Sequence, residues 1–247
     1  MGCRMERRSI LKAVLAAALL PATIACADNT ALDYRYRLTV EVDTPEGLRT
    51  GSSVIEVQQK LVRPGSSPGS QAINRSIYGE AVTVDLPNGG TLFALLRSED
   101  QIGWAGIVMQ DAAPKVAGES YTDRFDNMLL IDGEVTLPRR WPLIEPDIRL
   151  SGYPMMVTFA NSSIPTTVKL VDPDDLAGTF GNGVHLRRVT VQITEDPVTH
   201  NIVENYLPWL PDYYSTMLDG NRINTISADN RLANDLSQGD FIMGNSR

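Results

Sequence analysis

The sequence predicts a mainly β protein, an antiparallel β-sandwich or barrel-like domain with few short helices, preceded by a cleaved N-terminal signal peptide. Three observations predict it. Residues 34–42 alternate apolar and polar side chains, short apolar runs recur between Gly and Pro turns, and a basic then apolar stretch stands at the start. A chain of 247 residues fits one large all-β domain. No repeat period or strong boundary divides it.

In residues 34–42 (YRYRLTVEV), Arg35, Arg37, Thr39 and Glu41 fill the gaps between apolar residues. Side chains alternate faces along a strand, so this segment lays one face on a core and turns the other to water. Thr44-Pro45-Glu46-Gly47 supplies turn chemistry, and residues 54–62 read as the returning strand of a β-meander. Residues 63–76, rich in Ser, Gly and Pro, read as a loop. Val82, Val84 and Leu86 alternate again, Pro87-Asn88-Gly89-Gly90 is a hairpin turn, and residues 91–96 return. Further strands are expected at 102–109, 128–137, 155–160, 166–171 and 189–194. Helix signals are few: residues 173–178 suit one capped turn ended by Gly178, and residues 228–236 suit a short helix capped by Ser227.

The first 26 residues follow a different logic. Arg7, Arg8 and Lys12 form a basic region, residues 13–20 an apolar run, and small residues follow, which is the layout of a secretory signal. The apolar run is far short of the ~20 residues that cross a bilayer, and Pro21 interrupts any helix running through it. Thr23-Ile24-Ala25-Cys26 resembles the lipobox of bacterial lipoproteins, although Thr23 stands where leucine is usual. The resemblance implies lipidation at Cys26, a signal peptide of residues 1–25 and a mature body of residues 26–247. Ala25-Cys26-Ala27 also fits ordinary signal peptidase, which would cut after residue 27. Only Cys3 and Cys26 are cysteines, so Cys26 has no disulfide partner in the body. Arg7-Arg8-Ser9-Ile10-Leu11-Lys12 is similar to the twin-arginine export motif, with Glu6 and Ile10 departing from it. Paired arginines of an ordinary signal are the alternative.

Charge narrows the partners. The chain carries −8; residues 1–26 hold four bases and one acid, so the rest has 18 bases against 29 acids, a balance of −11. That is a poor match to nucleic acid or an anionic membrane surface, which require clustered Lys and Arg. The pairs Arg139–Arg140 and Arg187–Arg188 are isolated.

Catalytic signals are weak. Gly65-Ser66-Ser67-Pro68-Gly69 spells a nucleophile elbow, yet the residue after the serine must donate a backbone N–H, and Pro68 has none. His185 and His200 lack the helical or Cys/His spacing of a common zinc site. Asp172, Asp174 and Asp175 fail the calcium-loop spacing because Leu176 stands at the fifth position, and a capped turn explains them. Residues 178–183, rich in glycine, read as a turn and not a phosphate loop. No cofactor or metal is expected. The segment 207–214 (LPWLPDYY) gathers aromatics, and Trp209, Tyr213 and Tyr214 are a candidate binding surface for a sugar or a partner. The competing reading has Trp209 and Leu210 closing one end of the β core.

These residues lead to one expectation: an exported protein on the periplasmic side of a bacterial membrane, held there by lipid or else soluble. Its β-rich body would bind or scaffold envelope proteins or polysaccharide, ending in an irregular C-terminal segment. The alternatives are an envelope enzyme of hydrolase type and a carbohydrate-binding module.

Overall fold

The computed structural model describes residues 31–62, 73–119, 123–142 and 150–244. Alternation shapes β1 (Tyr34–Thr44): Tyr36, Leu38 and Val40 are fully buried, while Arg35, Arg37 and Thr39 keep contact with water. The turn at Pro45 and Glu46 leads into β2 (Gly47–Leu61), paired antiparallel from Thr44–Gly47 to Tyr34–Val57. Gly47 takes φ +115°, a region that favours glycine. β3 (Ile73–Glu80) pairs along β2, and at Ala81 the chain steps directly into another sheet through β4 (Val82–Asp85) and β5 (Thr91–Ala94).

The remaining strands are β6 (Val135–Thr136), β7 (Met156–Phe159), β8 (Val168–Leu170), β9 (His185–Ile193) and β10 (Ile242–Met243). Among the described residues they form a six-stranded sheet, β10-β3-β2-β1-β9-β6, and a four-stranded sheet, β4-β5-β7-β8. Every pairing is antiparallel. The fold is thus mainly antiparallel β in two sheets with few helices. The α-helices among the described residues are α1 (Trp104–Ala112), α2 (Ala177–Phe180), α3 (Val203–Tyr206), α4 (Arg231–Asp235) and α5 (Gln238–Phe241).

Two cores follow. In the first, Tyr36, Leu38 and Val40 of the large sheet meet Val82, Val84, Leu92 and Met156 of the small one, with Trp104 and Met109 of α1. The sheets approach so closely that a Cβ at Gly51 would lie 2.0 Å from the Thr83 carbonyl oxygen. The second core occupies the opposite face of the small sheet. There Phe93, Leu95 and Val157 pack against Val203, Leu207, Leu210, Leu236 and Phe241 of the C-terminal segment. The small sheet is therefore a middle layer, apolar on both faces.

The C-terminal cover has little regular structure, and polar staples hold it. The buried Glu80 carboxylate accepts the backbone N–H groups of Asn201, Ile202 (2.9 Å) and Val203 (3.0 Å). Ala81 N–H donates to the Phe241 carbonyl at 2.7 Å, and Leu96 N–H donates to that of Asp240 at 2.9 Å. Buried Arg97 reaches Asp235 at 3.2 Å and Asp240 at 3.6 Å. Burial raises the Asp240 carboxyl above its ordinary value, while Ser237 and Arg97 pull it back.

Several expected elements differ. Residues 102–109 contain no strand; they open α1, because the buried Trp104, Ala105, Val108 and Met109 share one helical face. Residues 128–137 end a 3-10 helix (Asp123–Leu130) and contribute only the two residues of β6. The loop expected over 63–76 overlaps β3 from Ile73 onward, and its first part lies outside the described residues. α2 runs through Gly178 and stops at Gly181, which adopts φ +101°. The helix expected over 228–236 is the shorter α4, capped by Asn230, whose side chain accepts from Ala233 N–H at 3.1 Å.

Replacing Glu80 by Ala leaves the buried Val203 N–H and the partly buried N–H groups of Asn201 and Ile202 without their acceptor, a loss of about 2–4 kcal/mol of stability. Urea titration of Glu80→Ala and Glu80→Gln should show the larger drop for alanine, since the amide oxygen still accepts.

Candidate functional site

The expected lipidation residue Cys26, the signal segment and the Gly65 to Gly69 motif lie outside the described residues. The aromatic segment is described. Leu210 is fully buried, and Trp209 rests half-buried on the second core, with its indole N–H donating to the Ser162 carbonyl at 2.6 Å. The Trp209 ring stands edge to face with Tyr213, 5.3 Å and 75° apart, and with Phe159, 5.7 Å and 70° apart. Tyr214 points away and is 79% exposed, lining a separate hollow with Ile77 and Met243. Trp209 and Tyr213 thus meet at a steep angle and form no flat stacking platform.

His185 and His200 are both exposed, and among the described residues no group of three His, Cys, Asp or Glu could hold a metal. Asp172 accepts Asp174 N–H at 2.9 Å and Asp175 accepts Gly178 N–H at 3.0 Å, so these acids tie a local turn. The arginine pairs meet acids: Arg187 pairs with Asp43 at 2.8 Å, Arg188 with Glu41 at 2.7 Å, Arg139 with Asp174 at 3.0 Å and Arg140 with Asp100 at 3.5 Å.

Two clefts carry more chemistry. The first, about 630 Å³, opens where the C-terminal cover ends over β5 and β7. Phe93 anchors its floor, edge-on to Phe159 at 5.7 Å and to Tyr206 at 6.0 Å. The hydroxyl of Tyr206, on α3, donates to Asp85 at 3.0 Å, and Thr91 approaches the same carboxylate at 3.4 Å. Asp85 and Thr91 are register partners that close the β4–β5 hairpin. Burial, then Asp85, raise the Tyr206 phenol above its ordinary value, which keeps its donating proton in place. Asn161 and Asn205 complete the rim.

The second cleft, about 640 Å³, lies beyond the C-terminal end of α1 between Asp111, Lys115, Glu119, Arg124 and Trp141. Asn127 donates to Glu119 at 2.6 Å. Asp111 stands at the open rim, yet surrounding chain strips enough water from it to push its carboxyl up to about 6, against the pull of Arg75 and Lys115. The Trp141 indole nitrogen is buried with no hydrogen-bond partner among the described residues.

The aromatic segment 207–214 lies beside this cleft, while Asp85 and Phe159 come from strands, and Asn161 from a loop, far away in sequence. Asp111 follows the stretch 102–109, whose apolar residues read as a strand but open α1. Comparison with protein-family models, curated proteins and solved structures finds no match for this chain.

The Asp111 shift has a sign that can be measured. Its carboxyl takes up a proton near pH 6 in the folded chain and near 3.8 in the free chain, so protonation favours the fold between those values. Relative to Asp111→Asn, the wild-type protein should gain stability as pH falls from about 6 towards 3.8. A parallel pair of denaturation curves across that window would exclude the shift. Solvent at the rim keeps the effect modest.

Proposed function

We propose that this chain is an exported lipoprotein whose β-rich, sandwich-like body is a binding or scaffolding module on the periplasmic side of a bacterial membrane. One observation carries the reading: Cys26, the sole cysteine after Cys3, stands just behind a basic and apolar leader. The described fold begins at Ala31 and β1 at Tyr34. An extended link from Cys26 to Tyr34 spans at most about 29 Å, so acyl chains on Cys26 would hold the body close to the bilayer. The same end of the body exposes Leu32 (54%), Leu129 (43%) and Leu130 (57%), apolar surface suited to that neighbourhood. No helix among the described residues is long and apolar enough to cross a membrane.

Intact-mass measurement of the full chain from bacterial membranes tests the anchor. Wild type should begin at Cys26 with acyl mass, and Cys26→Ala should lose both the lipid and the dependence on detergent. Soluble wild type beginning at Asp28 would defeat the anchor.

A second reading, an envelope hydrolase, draws on the Asp111 cleft. A carboxyl held near 6 in a cavity that also contains Glu119 suits a general acid working close to neutral pH. Turnover of ester or glycoside substrates with a limb near pH 6 that Asp111→Asn abolishes would favour it. Turnover that survives Asp111→Asn would sink it.

A further inference from the structure

We infer that the cleft between Asp85 and Asn161 binds an uncharged saccharide. The inference rests on the reading of this domain as a binding module and names its ligand class. It differs from the Trp209–Tyr213–Tyr214 surface suggested by the sequence, because the ligand sits on Phe159 and Tyr206 while Trp209 only supports the rim.

The position of the cleft follows from the fold. The small sheet needs its second face covered, and the cover stops short at the ends of β5 and β7. Phe93 is 1% exposed beneath it, whereas Phe159, on the next strand, keeps contact with solvent. The result is a mostly polar cleft with the Phe159 and Tyr206 rings on one side, and about 630 Å³ lies within the range of small-molecule sites. Trp209 fixes the rim loop through its bond to Ser162.

The rim chemistry selects the ligand. The cleft contains one carboxylate, Asp85, and no Lys, Arg or His among its described lining residues. A phosphate or carboxylate ligand would meet repulsion and no counter-charge. Asp85 is oriented by Tyr206 and Thr91, and an ionised carboxylate has lone pairs beyond those two bonds for a ligand hydroxyl. Asn161 uses its side-chain oxygen on Ser163 N–H at 2.9 Å, and Asn205 uses its side-chain nitrogen on the Asn201 carbonyl at 2.9 Å. The amide NH2 group of Asn161 and the side-chain oxygen of Asn205 therefore remain for a ligand. Hydroxyl groups that both give and accept protons, mounted on a ring with one apolar face, match this set. A pyranose has that design: its C–H face packs on Phe159 and Tyr206, and its hydroxyls bridge Asp85, Asn161 and Asn205.

The test is calorimetric titration of the full chain with neutral malto-, cello- and chito-oligosaccharides, with polygalacturonate and spermine as charged probes. At least one neutral oligosaccharide should bind saturably. Asn161→Ala and Asn205→Ala should each weaken that binding by roughly tenfold. Both residues are exposed, so these variants keep the fold, and Phe159→Ala should abolish binding. The inference is overturned if no neutral oligosaccharide binds, if only a charged probe binds, or if both asparagine variants bind like wild type. Acylation at Cys26 is read separately by mass. Acylated protein that ignores every neutral sugar overturns this inference alone, and sugar-binding protein without acyl mass overturns the anchor alone.

Discussion

A four-stranded sheet that is apolar on both faces imposes the main constraint on this molecule. One face of β4-β5-β7-β8 packs on the large sheet through Val82, Val84, Leu92 and Met156; the other carries Phe93, Leu95 and Val157. Leaving the second face in water would expose several large side chains, each worth about 1.5–3 kcal/mol when buried. The C-terminal segment supplies the missing layer with short helices and turns. Its turns tie themselves with short-range backbone bonds, and polar groups from the sheets fasten it to the body. Glu80 takes the N–H groups at the start of α3, and Arg97 meets Asp235 and Asp240 near its end.

Glu80 stands at the corner where β3 becomes β4, so the residue that joins the sheets also fastens the cover. Its position beside Ala81, which itself binds Phe241, concentrates three connections within two residues. The cleft described at the far end of the small sheet exists because that fastening acts locally and the cover ends before the strands do.

How far the sequence shows this depends on which forces are local. β1 and β2 were legible because alternation needs only one wet face, and β1 has one. The run Thr91-Leu92-Phe93-Ala94-Leu95-Leu96 was legible as a strand, of which β5 takes Thr91–Ala94, but its burial on both sides comes from the cover. α1 was misread because Trp104, Ile107, Val108 and Met109 suit either a strand or a helix, and the single helical face that buries Trp104, Ala105, Val108 and Met109 decides between them. The aromatic segment around Trp209 announced itself by composition. The cleft beside it did not, since Asp85, Phe159 and Asn205 are united by strand pairing and cover placement.

The staples also order events in time. Glu80 waits for Asn201, and Ala81 waits for Phe241, partners 121 and 160 positions later in the chain. A chain that emerges N-terminus first, from a ribosome or through a membrane pore, has made all of the small sheet before any of its cover exists. Until the segment from Val203 onward arrives, one greasy face lies bare, and contacts this distant in sequence close slowly. Completion of the native state is therefore a single late event at the carboxyl end. A chain clipped shortly before Phe241 would be nearly full length yet would remain a sticky, unfinished intermediate.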